Sequence, residues 1–383
     1  MIKTLQLILK HPTYRSIAIC FMTLNILFGT WAIYIPTLKN KLNIDEGELG
    51  LAVLFLGIGT FCMLIFAPKI IRFLHAGRSL TVTMYLFFAS FMVPFLAPNY
   101  AILCLGLFLV GVFSGLMDIS MNTLVTQLEK SDNVHIMSAN HGFFSLGGMI
   151  SAGIGTLFMP MVSLPFWHMA VVVLVMVLVN TPNVKYFYHI KSEEVEESSF
   201  DLKLFKPLFL VIVVGFFVMS GEGAIVDWGA LYLEKISKAD LNHVGYGYTF
   251  FSLFMAFGRF FGDGISQKLG SKKVILYGCL IAVGGFGLIL YKMPWVAISG
   301  FGLVGLGFST VVPELFRLGG KTPNIDAAQG ISLIAGSGFI GFLVGPVLLG
   351  FLAKTWDLSI SFWALLGFTV ISFVAALGLK VRK

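Results

Sequence analysis

Five ionisable residues, Asp118, His141, Glu222, Asp227 and Arg259, stand inside long apolar stretches of this 383-residue chain. Placing such a group in hydrocarbon costs at least about 2.5 kcal/mol on insertion scales, so each is a functional candidate that needs a partner. Asp118 is followed one helical turn later by Asn122, which puts both on one face of a helix. His141, with Asn140 beside it, opens the next apolar run and enters from the same side. A carboxyl and an imidazole facing each other in a low-dielectric cavity can exchange a proton as access to the cavity alternates. The alternative is a static hydrogen-bonded tie between two helices.

Glu222 lies between Gly221 and Gly223, a pattern that permits a helix to unwind so that carbonyls and a carboxylate meet a ligand. Asp227 and Trp228 follow in the same run. Arg259 is a ready ion-pair partner for Glu222 or Asp227, either as a fixed tie or gate or as part of a solute site. Asn25 and Trp31, with Tyr34 beyond, add amide, indole and hydroxyl groups suited to a polar solute with an apolar face. Asp118, His141 and Glu222 are thus proton-coupling candidates. Asn25, Trp31, Asn122, Asn140, Asp227, Trp228 and Arg259 are substrate-binding candidates.

None of these residues forms an enzyme signature. The chain has no nucleophile elbow, no HExxH and no phosphate-cradling Gly-Lys-Ser/Thr loop, which argues against catalysis and against ATP-driven transport. Its four cysteines, all in apolar runs without paired spacing, give no case for disulfides or zinc, and no cofactor is expected.

The elements that must position these residues are membrane helices. The chain is 57% hydrophobic and 12% charged, against about 25% charged in soluble domains. Breaks at Pro, Gly and polar clusters yield spans at 16 to 36, 49 to 68, 79 to 97, 100 to 126, 137 to 160 and 164 to 182. A second set follows at 207 to 233, 244 to 266, 274 to 291, 295 to 316, 327 to 352 and 358 to 379. With the N-terminus inside, 19 Lys and Arg fall in one set of loops and 6 in the other, so both termini are expected in the cytoplasm. The net charge of +7 therefore reports topology, with no nucleic acid implied. The one extended polar stretch, 185–206, divides an N-terminal six-helix bundle (1–184) from a C-terminal one (207–383) and reads as a cytoplasmic linker.

Short matches recur about 194 residues apart: Leu109-Val110-Gly111 with Leu303-Val304-Gly305, and Ser138, Gly142 and Gly147 with Ser332, Gly336 and Gly341. Thr30-Trp31 corresponds to Asp227-Trp228 at a slightly larger offset. Two related halves with small residues at sliding interfaces is the architecture of major facilitator transporters.

The chain resembles that superfamily, most of all the bacterial inner-membrane YbjJ-like group, itself similar to the fucose-proton symporters. The resemblance rests on His141-Gly142-Phe143-Phe144-Ser145-Leu146-Gly147, Glu222-Gly223 with Asp227-Trp228, Gly258-Arg259-Phe260, and Phe342-Leu343-Val344-Gly345-Pro346 with Leu348-Leu349-Gly350. Pro313, Phe316, Leu318 and Gly319 resemble the end of the symporters' span 10. It implies an all-α integral membrane protein with the major facilitator fold of twelve transmembrane helices in two pseudo-symmetric six-helix bundles. It also implies a monomer in the bacterial inner membrane, and a role for Asp118, with Asn122 after it, in coupling solute to protons. The matching stretch of span 1, Gly29 to Ile35, lacks the acidic residue that the symporters carry there. The facilitator loop motif survives in part, as Arg72, Gly77 and Arg78 and again as Lys268, Gly270, Lys272 and Lys273.

The function expected is therefore secondary active transport of a small polar solute, a sugar or related metabolite, by alternating access with proton symport. The partners are the solute, protons and the lipid bilayer. A proton-driven drug or metabolite exporter and a non-transporting receptor or scaffold are the competing readings.

Overall fold

The computed structural model describes residues 2–379 apart from 133, 135, 163, 192–204, 321 and 323–326. Fourteen α-helices occur among the described residues, and no strand. They are α1 (Ile2–Lys10), α2 (Pro12–Leu42), α3 (Glu46–Leu74), α4 (Ala76–Leu96), α5 (Tyr100–Asp132), α6 (Met137–Phe158) and α7 (Pro165–Val184). The second half supplies α8 (Phe205–Lys235), α9 (Tyr246–Leu269), α10 (Ser271–Ile289), α11 (Pro294–Phe308), α12 (Val311–Gly320), α13 (Ala327–Thr355) and α14 (Leu358–Leu377).

Eleven helical stretches among the described residues are long and apolar enough to cross a membrane. The twelfth span is α9, whose hydropathy is lowered by Arg259, Asp263, Gln267 and Lys268 but which packs against α6 and α11. The spans begin and end where local chemistry dictates. Pro12 occupies the first turn of α2, where its missing N–H is no loss. Asn43 closes α2 in the left-handed conformation at φ 51°. Asp45 and Glu48 form a reciprocal capping box at the start of α3.

Two features depart from the sequence-based expectation. The helices run past the apolar limits, α2 covering 12–42 where 16 to 36 was expected. Hydropathy registers only the lipid-facing length, whereas hydrogen bonding continues into the polar ends. The span expected at 295 to 316 is two helices, α11 and α12, separated by a turn at Ser309-Thr310. Of the linker expected at 185–206, residues 192–204 lie outside the described residues. Its first part is docked rather than free: Phe187 is buried, and Ile190 accepts a hydrogen bond from the Gly77 N–H at 3.2 Å.

The two halves repeat each other's packing. In the first, α3 and α4 pack on α5 and α2 packs on α6; in the second, α9 and α10 pack on α11 and α8 packs on α13. The repeat holds at single contacts. Gly147 sits against the Met22 carbonyl, and Gly341, 194 residues later, sits against that of Phe216, itself 194 residues after Met22. At both places a Cβ would strike backbone, so glycine is the residue that lets α6 and α13 approach the first helix of their own half.

The halves meet along two matched seams, α6 on α9 and α3 on α13. At the end away from the chain termini, here the far end, ion pairs join them. Glu46 of α3 pairs with Lys235 of α8 at 2.6 Å and with Lys39 of its own half at 3.6 Å, and Asp45 pairs with Lys354 of α13 at 2.9 Å. The close glycine contacts between α3 and α13 also lie on this side, between residues 47–57 and 343–354.

Candidate functional site

Between the halves, near the middle of the helices, lies a cavity of about 330 Å³. Its first-half walls come from α2 (Asn25, Phe28), α3 (Thr60), α5 (Ser114, Asp118) and α6 (Phe144, Ser145). Its second-half walls come from α8 (Met219, Glu222, Asp227), α9 (Tyr248, Ser252, Met255, Arg259) and α13 (Phe339, Phe342). Most of the surface is apolar and aromatic, with the polar atoms gathered into two groups.

The first group ties the seam between α6 and α9. The Tyr248 hydroxyl donates to Asn25 Oδ1 at 2.8 Å, and Asn25 Nδ2 donates to the Phe144 carbonyl at 3.0 Å. Arg259 Nη1 donates to Ser145 Oγ at 2.8 Å and reaches the His141 carbonyl at 3.5 Å. The second group is acidic. Glu222 Oε2 lies 3.7 Å from Arg259 Nη2, which places Arg259 with Glu222 rather than with Asp227. That separation is an ion pair without a direct hydrogen bond. Glu222 Oε1 is buried without a partner. Asp118 and Asp227 line the same cavity from opposite halves.

Of the ten sequence candidates, Asn25, Asp118, Glu222, Asp227 and Arg259 line the cavity, and the other five are not among its lining residues. Asn122 turns back on its own helix, donating to the Asp118 backbone carbonyl at 2.9 Å. Asn140 is fully buried and donates to the Ile136 carbonyl at 2.8 Å. The His141 ring sits edge-on to Phe21, with ring centres 5.3 Å apart, and only its backbone carbonyl reaches the site. Trp31 and Trp228 are wholly buried with indole N–H groups unpartnered, and Trp31 packs edge-on against Phe95.

The glycines around Glu222 do not unwind the helix. α8 is continuous, and a Cβ on Gly221 would lie 2.9 Å from the Phe308 ring and one on Gly223 2.5 Å from that of Phe342. These glycines make room for aromatic rings from α11 and α13.

The sequence profile of the Major Facilitator Superfamily matches residues 17–324. The chain belongs to the Major Facilitator Superfamily. It is 31% identical over 359 residues to an uncharacterised facilitator-type transporter of Yersinia pestis, covering 91% of this chain and 90% of that one. It is also 28% identical over 351 residues to membrane protein MosC of Rhizobium meliloti, covering 90% and 84%. Among solved structures, a variant of the nucleoside transporter NupG superposes with a TM-score of 0.76 at 14% identity, covering 96% of this chain and 99% of that one. A variant of the Escherichia coli fucose:proton symporter FucP superposes at 0.62 with 17% identity, covering 96% and 98%. At these identities the two structures speak to the fold alone. The protein is a multi-pass membrane transporter with the facilitator fold.

Several lining residues of this facilitator carried no charge to draw attention. Tyr248, Ser252, Met255 and Arg259 fall at helical spacing of four, three and four, one stripe of α9 facing the cavity. That stripe was readable by starting from Arg259 and stepping back along its own face. Thr60 and Ser114 offered no comparable signal, because hydroxyls are common in membrane helices and both bond to helix carbonyls here.

Proposed function

We propose that this transporter is a proton-coupled symporter that takes up a small polar solute by alternating access. The solute class put forward from the sequence is a sugar or related metabolite, and the cavity is the place where it binds. One observation carries the proposal: Asp118 of α5 and Glu222, Asp227 and Arg259 of α8 and α9 face a single cavity formed by both halves. A group that spans the junction is placed to register which way the halves are rocked, which is what coupling requires.

The far-end ion pairs and glycine contacts join the halves on one side of that cavity. With the termini in the cytoplasm of a bacterial inner membrane, as the Lys and Arg distribution supports, joining at the far end favours an inward-facing arrangement. On this reading residues 185–206 form a cytoplasmic linker between bundles 1–184 and 207–383, and the working unit is a monomer.

The test is Asp118→Asn in proteoliposomes. A solute found by thermal-shift screening is loaded against an imposed pH gradient, and both solute and proton fluxes are followed. The variant is expected to keep exchange of the solute while losing its dependence on the gradient. Unaltered proton dependence removes Asp118 from the mechanism. Single-cysteine labelling on both faces gives the independent check, since one fixed pattern of accessibility is what a non-transporting scaffold would show.

A further inference from the structure

We infer that the solute, expected from the sequence to be a sugar or related metabolite, is instead a protonated amine carried on a small, flat apolar body. This rests on the reading that the cavity is the solute site. It follows from an inventory of what the walls can still offer a ligand.

Most of the neutral donors on the wall are already engaged. The Tyr248 hydroxyl is held by Asn25, the Asn25 amide by the Phe144 carbonyl, the Thr60 hydroxyl by Leu56 and Gly111, and the Ser114 hydroxyl by Gly111. The Ser145 hydroxyl donates to the His141 carbonyl and accepts from Arg259. Acceptors are in surplus. Glu222 Oε1 is buried and unpartnered, and Asp118 and Asp227 bring two further carboxylates to the same space. Three carboxylates thus stand against one guanidinium, which is itself turned toward Glu222, Ser145 and His141.

A ligand satisfies such a wall by bringing donors and positive charge. An ammonium supplies three donors and no acceptor. A sugar hydroxyl donates and accepts together, so a sugar brings more acceptors than the few donors left on this wall can serve. An anion would meet an acidic wall and compete with Glu222 for Arg259. A proton taken up on one carboxyl removes one charge and adds one donor, which still leaves acceptors in excess. The remaining lining fits the rest of such a molecule: Phe28, Phe144, Phe251, Phe339 and Phe342 make the wall aromatic around an apolar body and a cation. The volume, about 330 Å³, is at the small end of the roughly 300–1,000 Å³ of ligand pockets, which suits one ring and a short chain.

The experiment uses the purified full-length protein and three probes of matched body: 2-phenylethylamine, 2-phenylethanol and 3-phenylpropionate, titrated calorimetrically at neutral pH. The amine is expected to bind at least about tenfold more tightly than the alcohol, and the propionate not to bind, because only the ammonium gains charge-assisted hydrogen bonds. Asp118→Asn and Asp227→Asn are each expected to weaken the amine by about tenfold and leave the alcohol within about twofold, with melting temperature retained. Equal or tighter binding of alcohol or propionate overturns the inference, and so does the failure of all three to bind. An amine preference that persists in both Asn variants and in Phe342→Ala locates the binding elsewhere, and the cavity reading falls too. Loss of flux of a non-amine solute in the same variants leaves the cavity reading standing and removes the amine alone.

Discussion

Replacing Gly50 with alanine should open the far end of the transporter. A Cβ built on Gly50 lies 2.6 Å from the Pro346 carbonyl oxygen and 3.2 Å from the Gly350 Cα, both backbone atoms of α13 with no side chain to swing aside. Restoring an ordinary contact of 3.4 Å requires α3 and α13 to part by about 0.8 Å. Overpacking of this kind costs about 1–3 kcal/mol. The cost falls on the state in which these two helices touch, since the clash is between halves and not within one. The balance between far-end-closed and far-end-open states should therefore move by about 5- to 150-fold toward the open one. The assay is a spin-label distance across the far end, with labels at Asn40→Cys and Trp356→Cys, both exposed and in opposite halves, in a background lacking the four native cysteines. A longer-distance population should appear in Gly50→Ala. Gly59→Ala is the control, because its Cβ would strike the Phe108 carbonyl inside the first half and should lower melting temperature without changing that distance. An unchanged distribution in Gly50→Ala, or equal opening in Gly59→Ala, refutes the reasoning.

Two other perturbations follow from the charges. Arg259→Gln leaves Glu222, 15% exposed, as an uncompensated buried carboxylate, and should cost about 3–5 kcal/mol, read as a fall in melting temperature. The double variant with Glu222→Gln should recover most of that loss, and a double variant no better than the single one would show that the pair contributes nothing. At the far end, the Lys354 ammonium, followed by the Glu48 backbone N–H, holds the Asp45 carboxyl below its ordinary value. Its contribution is therefore complete above the unfolded value of about 3.9 and disappears as pH falls through the lower folded value. Lys354→Ala should loosen the label distance modestly at pH 7 and make no difference once the pH has fallen through the lowered folded value. The effect should shrink with added salt, because both side chains are partly exposed. A difference between variant and parent that persists in acid contradicts this assignment.

The fold was legible because lipid imposes a simple rule on sequence. Unpaired backbone is excluded from hydrocarbon, so each long apolar run had to be a helix, and the Lys and Arg asymmetry fixed which loops share a side. The site was half legible for a related reason. Asp118, His141, Glu222, Asp227 and Arg259 stood out because an ionisable group in an apolar run is costly, and all but His141 line the cavity. Trp31, Trp228 and Asn140 were flagged by type alone, and type does not say which way a side chain points; all three are packed inside the bundle. Tyr248 lies on the stripe readable from Arg259, but its bond to Asn25 on another helix is something no local pattern encodes. Gly221 and Gly223 illustrate the same limit, since the rings that explain them come from α11 and α13.

The turn at Ser309-Thr310 gives the two halves different mechanics. The counterpart of α11 and α12 in the first half is α5, an unbroken helix of 33 residues that behaves as a stiff lever. The second half has a joint at that position, and the joint rests on the helix that carries Arg259. A Cβ on Gly258 would strike the Ser309 hydroxyl, and one on Gly262 would strike Thr310. Gly258 and Gly262 thus hold the turn directly against the helix that carries Arg259. The second half thus carries a turn where the first carries continuous helix, and the near-symmetric bundles differ at the position that backs the helix of Arg259.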